Sequence, residues 1–168
     1  MHCKLSDTTY YQKATTNSPM SVPKVLKLGM WNVRCCVNDV KLKAIHYRLK
    51  ERNFRLSVLT ETLMRSGVYE LERNWTLYNS GHGLDSPPRG GVGFLVDSAT
   101  FTVAAFRECS NRLTVLRVEC DGVPFSVLGC YGPTNRSVNK TEKGRFYCLL
   151  DKVYNEENTN CSRLRIWA

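Results

Sequence analysis

The chain has 168 residues, 42% of them hydrophobic and 23% charged, a balance typical of one ordinary globular domain with a hydrophobic core. No stretch approaches the roughly 20 apolar residues needed to span a bilayer, and the polar N-terminus has no signal-peptide pattern, so we expect an intracellular protein, nuclear or cytoplasmic and not secreted. The net charge is +9, and residues 1–61 carry +7 of it, with 11 Lys and Arg against 4 Asp and Glu. This charge suits a polyanion such as nucleic acid, or simply a solvated helix face.

The first half of the chain predicts a β-α-β unit. Residues 1–23 are polar and broken by two prolines, which indicates a disordered leader, and the domain is expected over residues 24–168. Residues 24–32 have the period-two pattern of a strand, residues 38–52 have the apolar stripe of a helix, and residues 55–61 predict a second strand. Two strands joined by one helix in so few residues are expected to be parallel.

The second half is rich in strands. Strands are predicted over residues 75–81, 91–96 and 101–109, with a Gly- and Pro-rich loop before the second of them. The stretches RLTVLRVEC and VPFSVLGCYGP flank Asp121-Gly122, a strong signal for a two-residue hairpin turn. A helix is predicted over residues 141–155, and the final RLRIWA has the composition of a buried strand. The eight cysteines include no CxxC pair, so we expect reduced thiols rather than a zinc site.

Polar side chains follow the two predicted parallel strands. Asn32 ends the first strand and Glu61 ends the second, so both should emerge at the same edge of the sheet, where α/β proteins commonly bind ligands. An acid after the buried run SVLT is costly unless something binds it. The alternative is that Glu61 only caps the next element.

The hairpin predicts a second pair at one end of its strands. With Asp121 and Gly122 as the loop, Cys120 pairs with Val123, and the same register places Arg112 opposite Tyr131. An arginine beside a tyrosine hydroxyl suits a phosphate oxygen, but it is also a common packing or cation–π pair. No chemical role is assigned to His82, in the Gly-rich loop, or to His46, which is expected at the helix surface.

The motifs GMWNVR, LTET, YNSGH…GGVGFLV, NRLTVLRVE and PFSVLGCYGPTN occur in the order found in the endonuclease/exonuclease/phosphatase superfamily. The chain resembles most the nuclease domains of LINE-type retrotransposons and the related craniofacial development protein 2-like sequences. The resemblance implies a four-layered, DNase I-like α/β sandwich of two sheets with helices outside. It also implies an Mg²⁺-dependent enzyme, with Mn²⁺ as a substitute, that cleaves phosphodiester or phosphomonoester bonds.

By this resemblance, Glu61 is the metal ligand and Asn32, Glu61 and Tyr131 are the catalytic residues. The expected contacts to nucleic acid, most of all DNA, come from Arg112, Arg34, Thr134 and Asn135. The family's Gly-Asp-x-Asn and Asp-His motifs do not occur in the sequence, and RLRIWA resembles the strand that precedes the first of them. We therefore expect a domain that lacks its C-terminal strands and is a weak or inactive nuclease.

Two other functions stay open. One is a remnant that binds nucleic acid without catalysis, and the other is a phosphatase of the same superfamily. In every case we expect a monomer with no small-molecule cofactor and no membrane partner.

Overall fold

The computed structural model describes residues 6–10, 26–85, 87, 89–133, 140–160 and 165–167. These residues form β1 (Ser6–Tyr10), β2 (Leu26–Asn32), α1 (Asp39–Glu51), β3 (Leu56–Thr60), β4 (Gly67–Glu70), β5 (Trp75–Ser80), β6 (Val92–Asp97), β7 (Thr102–Ser110), β8 (Leu113–Cys120), β9 (Val123–Cys130), α2 (Lys140–Asn160) and β10 (Arg165–Trp167). Of the helices in this part of the chain, none has the length and apolar character needed to cross a membrane.

The strands form two sheets. The first has the order β1-β2-β3-β6-β5-β4, and the second has the order β10-β9-β8-β7. β2 and β3 are parallel neighbours, as predicted, and α1 makes the crossover between them. β10 also pairs in parallel, with β9, whereas the other neighbours are antiparallel.

Three hydrophobic clusters produce four layers. The cluster between the two sheets includes Val58 and Phe94 from the first sheet and Leu116 and Val127 from the second. A second cluster joins α1 to the outer face of the first sheet, and a third joins α2 to the outer face of the second. β3 is buried along its whole length because it lies between α1 and the second sheet. The predicted four-layered α/β sandwich is therefore confirmed.

The β8–β9 hairpin has the predicted register. Cys120 pairs with Val123, Val118 with Phe125, and the pairing continues to Leu113 and Cys130. Asp121 and Gly122 both have positive φ, of 50° and 75°, as a two-residue turn of this kind requires. Each turn residue therefore adopts a conformation that Asp tolerates and Gly prefers.

α1 lies within its predicted range, whereas the position of His46 and the end of α2 differ from expectation. Asn38 caps α1 by accepting a hydrogen bond from the backbone N–H of Val40 at 2.8 Å. His46 is only 9% exposed, and its ring lies 4.8 Å from that of Trp75, so the expectation of a surface histidine was wrong. α2 continues to Asn160, five residues beyond the prediction, because Glu157 is buried against the second sheet.

Two strands were missed. β1 lies within the expected disordered leader, residues 1–23, and pairs antiparallel with β2, so Ser6–Tyr10 depart from that expectation. β4 has four residues, too few to show a clear period, and it forms by pairing with β5. They are the two edge strands of the first sheet, where one neighbouring strand pairs with the backbone groups on one side of each. The cysteines of the described residues are free thiols: Cys35, Cys36, Cys109, Cys120, Cys130 and Cys148.

Candidate active site

Asn32 and Glu61 meet where the parallel strands β2 and β3 end. Asn32 pairs with Thr60, the last residue of β3, and Glu61 follows directly. The N–H of Val33 donates to the carbonyl of Thr60 at 2.9 Å, so the two chains stay together as they leave the sheet. The side-chain oxygen of Asn32 accepts from the N–H of Arg34 at 3.2 Å, while its amide hydrogen-bonds the Glu61 carboxylate. The predicted meeting of these two side chains at one sheet edge is therefore observed.

The backbone around Glu61 adopts conformations that side chains normally avoid. Glu61 and Leu63 have φ of 56° and 55°, and Arg34 and Cys35, on the neighbouring loop, have φ of 47° and 84°. Each such residue costs about 1–2 kcal/mol relative to a right-handed conformation. Clusters of backbone strain of this kind are found at functional sites, where the surrounding structure holds them.

The second sheet brings Tyr131 and Arg112 to the same place. The N–H of Tyr131 donates to the carbonyl of Arg112 at 2.8 Å, which continues the hairpin register by one pair and places the two side chains together. The hydroxyl of Tyr131 donates a short hydrogen bond to Oε1 of Glu61. This bond joins the two sheets across the open end of the sandwich.

A close approach of the sheets makes that contact possible. A Cβ at Gly129, on β9, would lie 2.9 Å from a methyl carbon of Val92 and 3.2 Å from one of Val58. A side chain at this position would require Val92 to shift, since real Cβ atoms essentially never come within 3.0 Å of a neighbour. Gly129 precedes Tyr131 by two residues, so the glycine sets how near Tyr131 comes to Glu61.

The Glu61 carboxyl group is held in its ionised form. Burial by itself raises the pKa of Glu61, but the hydrogen bonds from Tyr131 and Asn32 lower it, and the net shift is below the ordinary value. The positive charges of Arg34 and Arg112 act in the same direction. The pKa of Tyr131 is raised, first by its hydrogen bond to Glu61 and then by burial, so the phenol stays protonated.

Arg112 has unused hydrogen-bonding capacity at this site. Its guanidinium carbon lies 5.2 Å from the centre of the Tyr131 ring, which is the cation–π arrangement that the sequence left open. Among the described residues, its buried Nη1 has no hydrogen-bond partner. A buried guanidinium N–H without a partner is costly, so it marks a position suited to an acceptor such as a phosphate oxygen.

The remaining predicted residues are less central. Arg34 is exposed beside the site, and its carbonyl accepts from Nζ of Lys41 at 3.2 Å. Thr134 and Asn135 lie outside the described residues. His82 is partly exposed, with its Nδ1 3.0 Å from the carbonyl of Gly83, and its backbone pairs with the segment after Glu61.

Sequence reasoning missed the residues directly behind Glu61. Thr62 and Asn79 are fully buried and hydrogen-bonded to each other, although one follows Glu61 in the chain and the other lies on β5. The one sequence signal for them was the run GGVG at residues 90–93. Gly90 and Gly91 have positive φ, and their carbonyls accept from the N–H groups of Leu63 and Thr62.

The described residues offer one carboxylate for a metal. They contain no group of three or more His, Cys, Asp or Glu side chains placed to hold a metal ion. Mg²⁺, however, commonly keeps several waters and binds through one or two carboxylates together with substrate phosphates. An ionised, partly exposed Glu61 beside the Asn32 amide fits a weak Mg²⁺ site of that type.

Comparisons with known proteins support the fold. No protein-family model matches the sequence, and no curated protein matches it. Among solved structures, the chain is similar to an endonuclease/exonuclease/phosphatase family protein from Leptotrichia buccalis C-1013-b, with a TM-score of 0.53 and 13% identity. The match covers 83% of this chain and 64% of that chain, so the described fold corresponds to less than two thirds of its neighbour's length. At this identity the likeness concerns the fold.

Proposed function

We propose that the protein is a Mg²⁺-dependent phosphodiesterase domain acting on nucleic acid, of the LINE-type retrotransposon branch of the endonuclease/exonuclease/phosphatase superfamily. The observation that carries the proposal is the convergence of Glu61, Tyr131 and Arg112 from two different sheets onto one point. The fold shared with a protein of that superfamily and the order of the five sequence motifs support it.

Each residue has a role that follows from its chemistry. Glu61 would hold Mg²⁺, which, when bound, polarises a phosphate and stabilises its leaving oxygen. Arg112 would contact a phosphate oxygen through its unpartnered Nη1. Asn32 and Tyr131 orient the carboxylate and present N–H and O–H donors at the place where charge develops on the phosphate.

The proposed substrate class is a polyanion, with DNA first. The positive charge is concentrated in residues 1–61, and α1 exposes several of these cations: Lys41, Lys43 and Arg48, with Arg52 at its C-cap. Arg34 adds an exposed cation close to Glu61. Such contacts neutralise phosphates without reading sequence, so binding should be non-specific and sensitive to salt.

Binding without catalysis is the alternative with an observation in its favour. Hydrolysis needs a group that activates water, and Glu61 does not belong to any group of three or more His, Cys, Asp or Glu side chains among the described residues. Such a protein would keep the salt-sensitive binding and the Mg²⁺ response, and it would lack phosphodiester cleavage.

The test compares Glu61→Gln with a matched control. Glu119→Gln changes an exposed carboxylate at the hairpin end of β8, far along the strand from Arg112. Mg²⁺ binding is measured by calorimetry, and nicking of supercoiled plasmid is measured with Mg²⁺ and with Mn²⁺. We expect Glu61→Gln to lose both signals and Glu119→Gln to keep both.

The two candidate functions give different outcomes. Binding of Mg²⁺ and DNA without nicking in the parent chain would support the alternative. An equal Mg²⁺ response in Glu61→Gln and the parent chain would remove Glu61 from the metal site and overturn the proposal.

A further inference from the structure

Two buried polar side chains lie behind Glu61 and have no part in the proposed chemistry. Thr62 and Asn79 are each 0% exposed, and the Thr62 hydroxyl donates to Oδ1 of Asn79 at 2.9 Å. A buried hydroxyl or amide costs about 1–3 kcal/mol when its partner is missing. Each group therefore avoids this cost through its hydrogen bond to the other. Thr62 directly follows Glu61 in the chain.

Asn79 contacts both ends of the segment 62–65, which directly follows Glu61. While its Oδ1 accepts from Thr62, its Nδ2 donates to the carbonyl of Arg65 at 2.9 Å. Asn79 itself is fixed on β5, where it pairs with Gly93 of β6 and Gly67 of β4. One amide on a rigid strand thus spans residues 62–65.

Three glycines make the space for this pair. A Cβ at Gly91 would lie 2.1 Å from the Thr62 hydroxyl oxygen, and a Cβ at Gly93 would lie 2.9 Å from Oδ1 of Asn79. A Cβ at Gly81 would lie 1.9 Å from the carbonyl of Met64 and 2.8 Å from Nδ2 of Asn79. Gly91 and Gly93 of the GGVG run therefore leave the space that the Thr62–Asn79 pair occupies.

The turn needs such support because its backbone is unfavourable. Glu61 and Leu63, on either side of Thr62, are both left-handed, and neither is glycine. Backbone hydrogen bonds from Thr62 to Gly91 and from Cys36 to Thr62 hold the main chain at 3.3 Å and 2.8 Å. The carbonyl of Glu61 itself accepts from the N–H of Cys35 at 2.6 Å. Contacts that hold the side chain of Thr62 against β5 therefore add to a main chain that is already fixed on its other side.

We propose that Thr62 and Asn79 are positioning residues whose hydrogen bond holds the Glu61 carboxylate against Tyr131. A role of this hydrogen bond in catalysis rests on the proposed function, whereas its effect on the Glu61–Tyr131 contact can be tested without that function. If the Thr62 hydroxyl is removed, we expect residues 62–65 to shift against β5 and the Glu61–Tyr131 hydrogen bond to weaken. The arrangement of Glu61 beside Tyr131 is then lost.

The test uses Tyr131 as the reporter. Tyrosine ring-carbon NMR at pH 7 and without metal reports the hydrogen bond of each phenol in the chemical shift of its Cζ, and Tyr131→Phe identifies the signal of Tyr131. Because the hydroxyl of Tyr131 donates to Oε1 of Glu61, we expect Thr62→Val to move that signal toward the chemical shift of an exposed tyrosine. Thr62→Ser restores a donor and should restore the parent chemical shift.

A control separates positioning from loss of stability. Thr114 is also fully buried, and its hydroxyl donates to the carbonyl of Arg107 at 2.9 Å in the second sheet. Thr114→Val should destabilise the fold to a similar degree and leave the Tyr131 chemical shift unchanged. If Thr62→Val does not fold, Thr62→Cys, with a weaker donor of similar size, should give an intermediate shift.

Metal binding supplies the link to function. Residues that orient a metal ligand typically change metal affinity by about 10–100-fold, and we expect Thr62→Val to weaken Mg²⁺ binding by about tenfold. If Glu61→Gln has no effect on Mg²⁺ binding, the proposed function fails while the Tyr131 chemical shift still tests the positioning. An unchanged Tyr131 chemical shift in folded Thr62→Val or Thr62→Cys would overturn the inference.

Discussion

The contact between α2 and the second sheet predicts an unequal response to mutation of its two partners. The Glu157 carboxylate is fully buried; it receives two hydrogen bonds from Arg117, at 2.9 and 3.0 Å, and one from Ser126 at 2.9 Å. Arg107 adds an ion pair at 3.4 Å. The side chains of Arg117 and Arg107 are 40% and 41% exposed, whereas the carboxylate is fully buried. Nε and Nη2 of Arg107 are nevertheless buried, so Arg117 is the partner that water can hydrate.

The magnitudes follow from this asymmetry. Arg117→Met leaves a buried carboxylate without two charge-assisted hydrogen bonds, and removal of one partner of a buried pair costs about 3–5 kcal/mol. Ser126 and Arg107 remain, so we expect the lower end, about 3 kcal/mol. Glu157→Gln keeps a side-chain oxygen that can accept hydrogen bonds and leaves Arg117 open to water, and we expect a loss of about 1–2 kcal/mol.

The assay is urea unfolding at pH 7 of the parent chain, the two single variants and the double variant. Because the two side chains share hydrogen bonds, the double variant should lose less free energy than the two single variants added together. If Arg117→Met loses no more free energy of unfolding than Glu157→Gln, the argument that burial is more costly for the carboxylate than for the arginines is wrong.

The pH dependence gives a second check on the same pair. Burial raises the pKa of Glu157, but the hydrogen bonds from Arg117 and Ser126, with the charges of both arginines, lower it below its ordinary value. The stabilisation is therefore fully present above the pKa of an unfolded glutamate and is lost as the pH falls through the lower folded value. The difference between the parent chain and Arg117→Met should shrink on acidification, and a difference that is constant with pH would contradict the argument.

Three further predictions concern binding and backbone. Affinity for duplex DNA should fall with salt, the slope of log K against log salt being about −0.9 per phosphate contact, and a salt-insensitive affinity in a filter-binding assay would contradict the basic-surface argument. Gly91→Ala should lower the unfolding free energy more than Gly122→Ala, since both have positive φ but only Gly91 would place a Cβ 2.1 Å from a neighbour; equal losses would leave the glycine space unexplained. Gly144→Ala, on the exposed surface of α2 with nothing within 4 Å, should stabilise the protein by about 0.5–1 kcal/mol in urea unfolding, and a loss would indicate a contact not seen here.

Local patterns were enough to predict much of the fold. The parallel β2–β3 pair follows from the length of the α1 crossover, and the β8–β9 register follows from the Asp121-Gly122 turn, because side chains alternate strictly along each strand. Those two facts predict that Asn32 and Glu61 lie together and that Arg112 and Tyr131 lie together, and both pairs do. The chemical roles of these residues remain predictions.

Tertiary structure alone decided how the two pairs meet. No periodicity in the sequence indicates that Tyr131 reaches Glu61, 70 positions away, because the contact depends on how closely the sheets pack at Gly129. The contact of Thr62 with Asn79 likewise depends on how the layers pack. Glu157 is a polar residue, so the apolar pattern of α2 did not predict that it lies on the buried face. Sequence periodicity determines which face of an element is apolar, whereas the partner of a buried polar group depends on which layers come together around it.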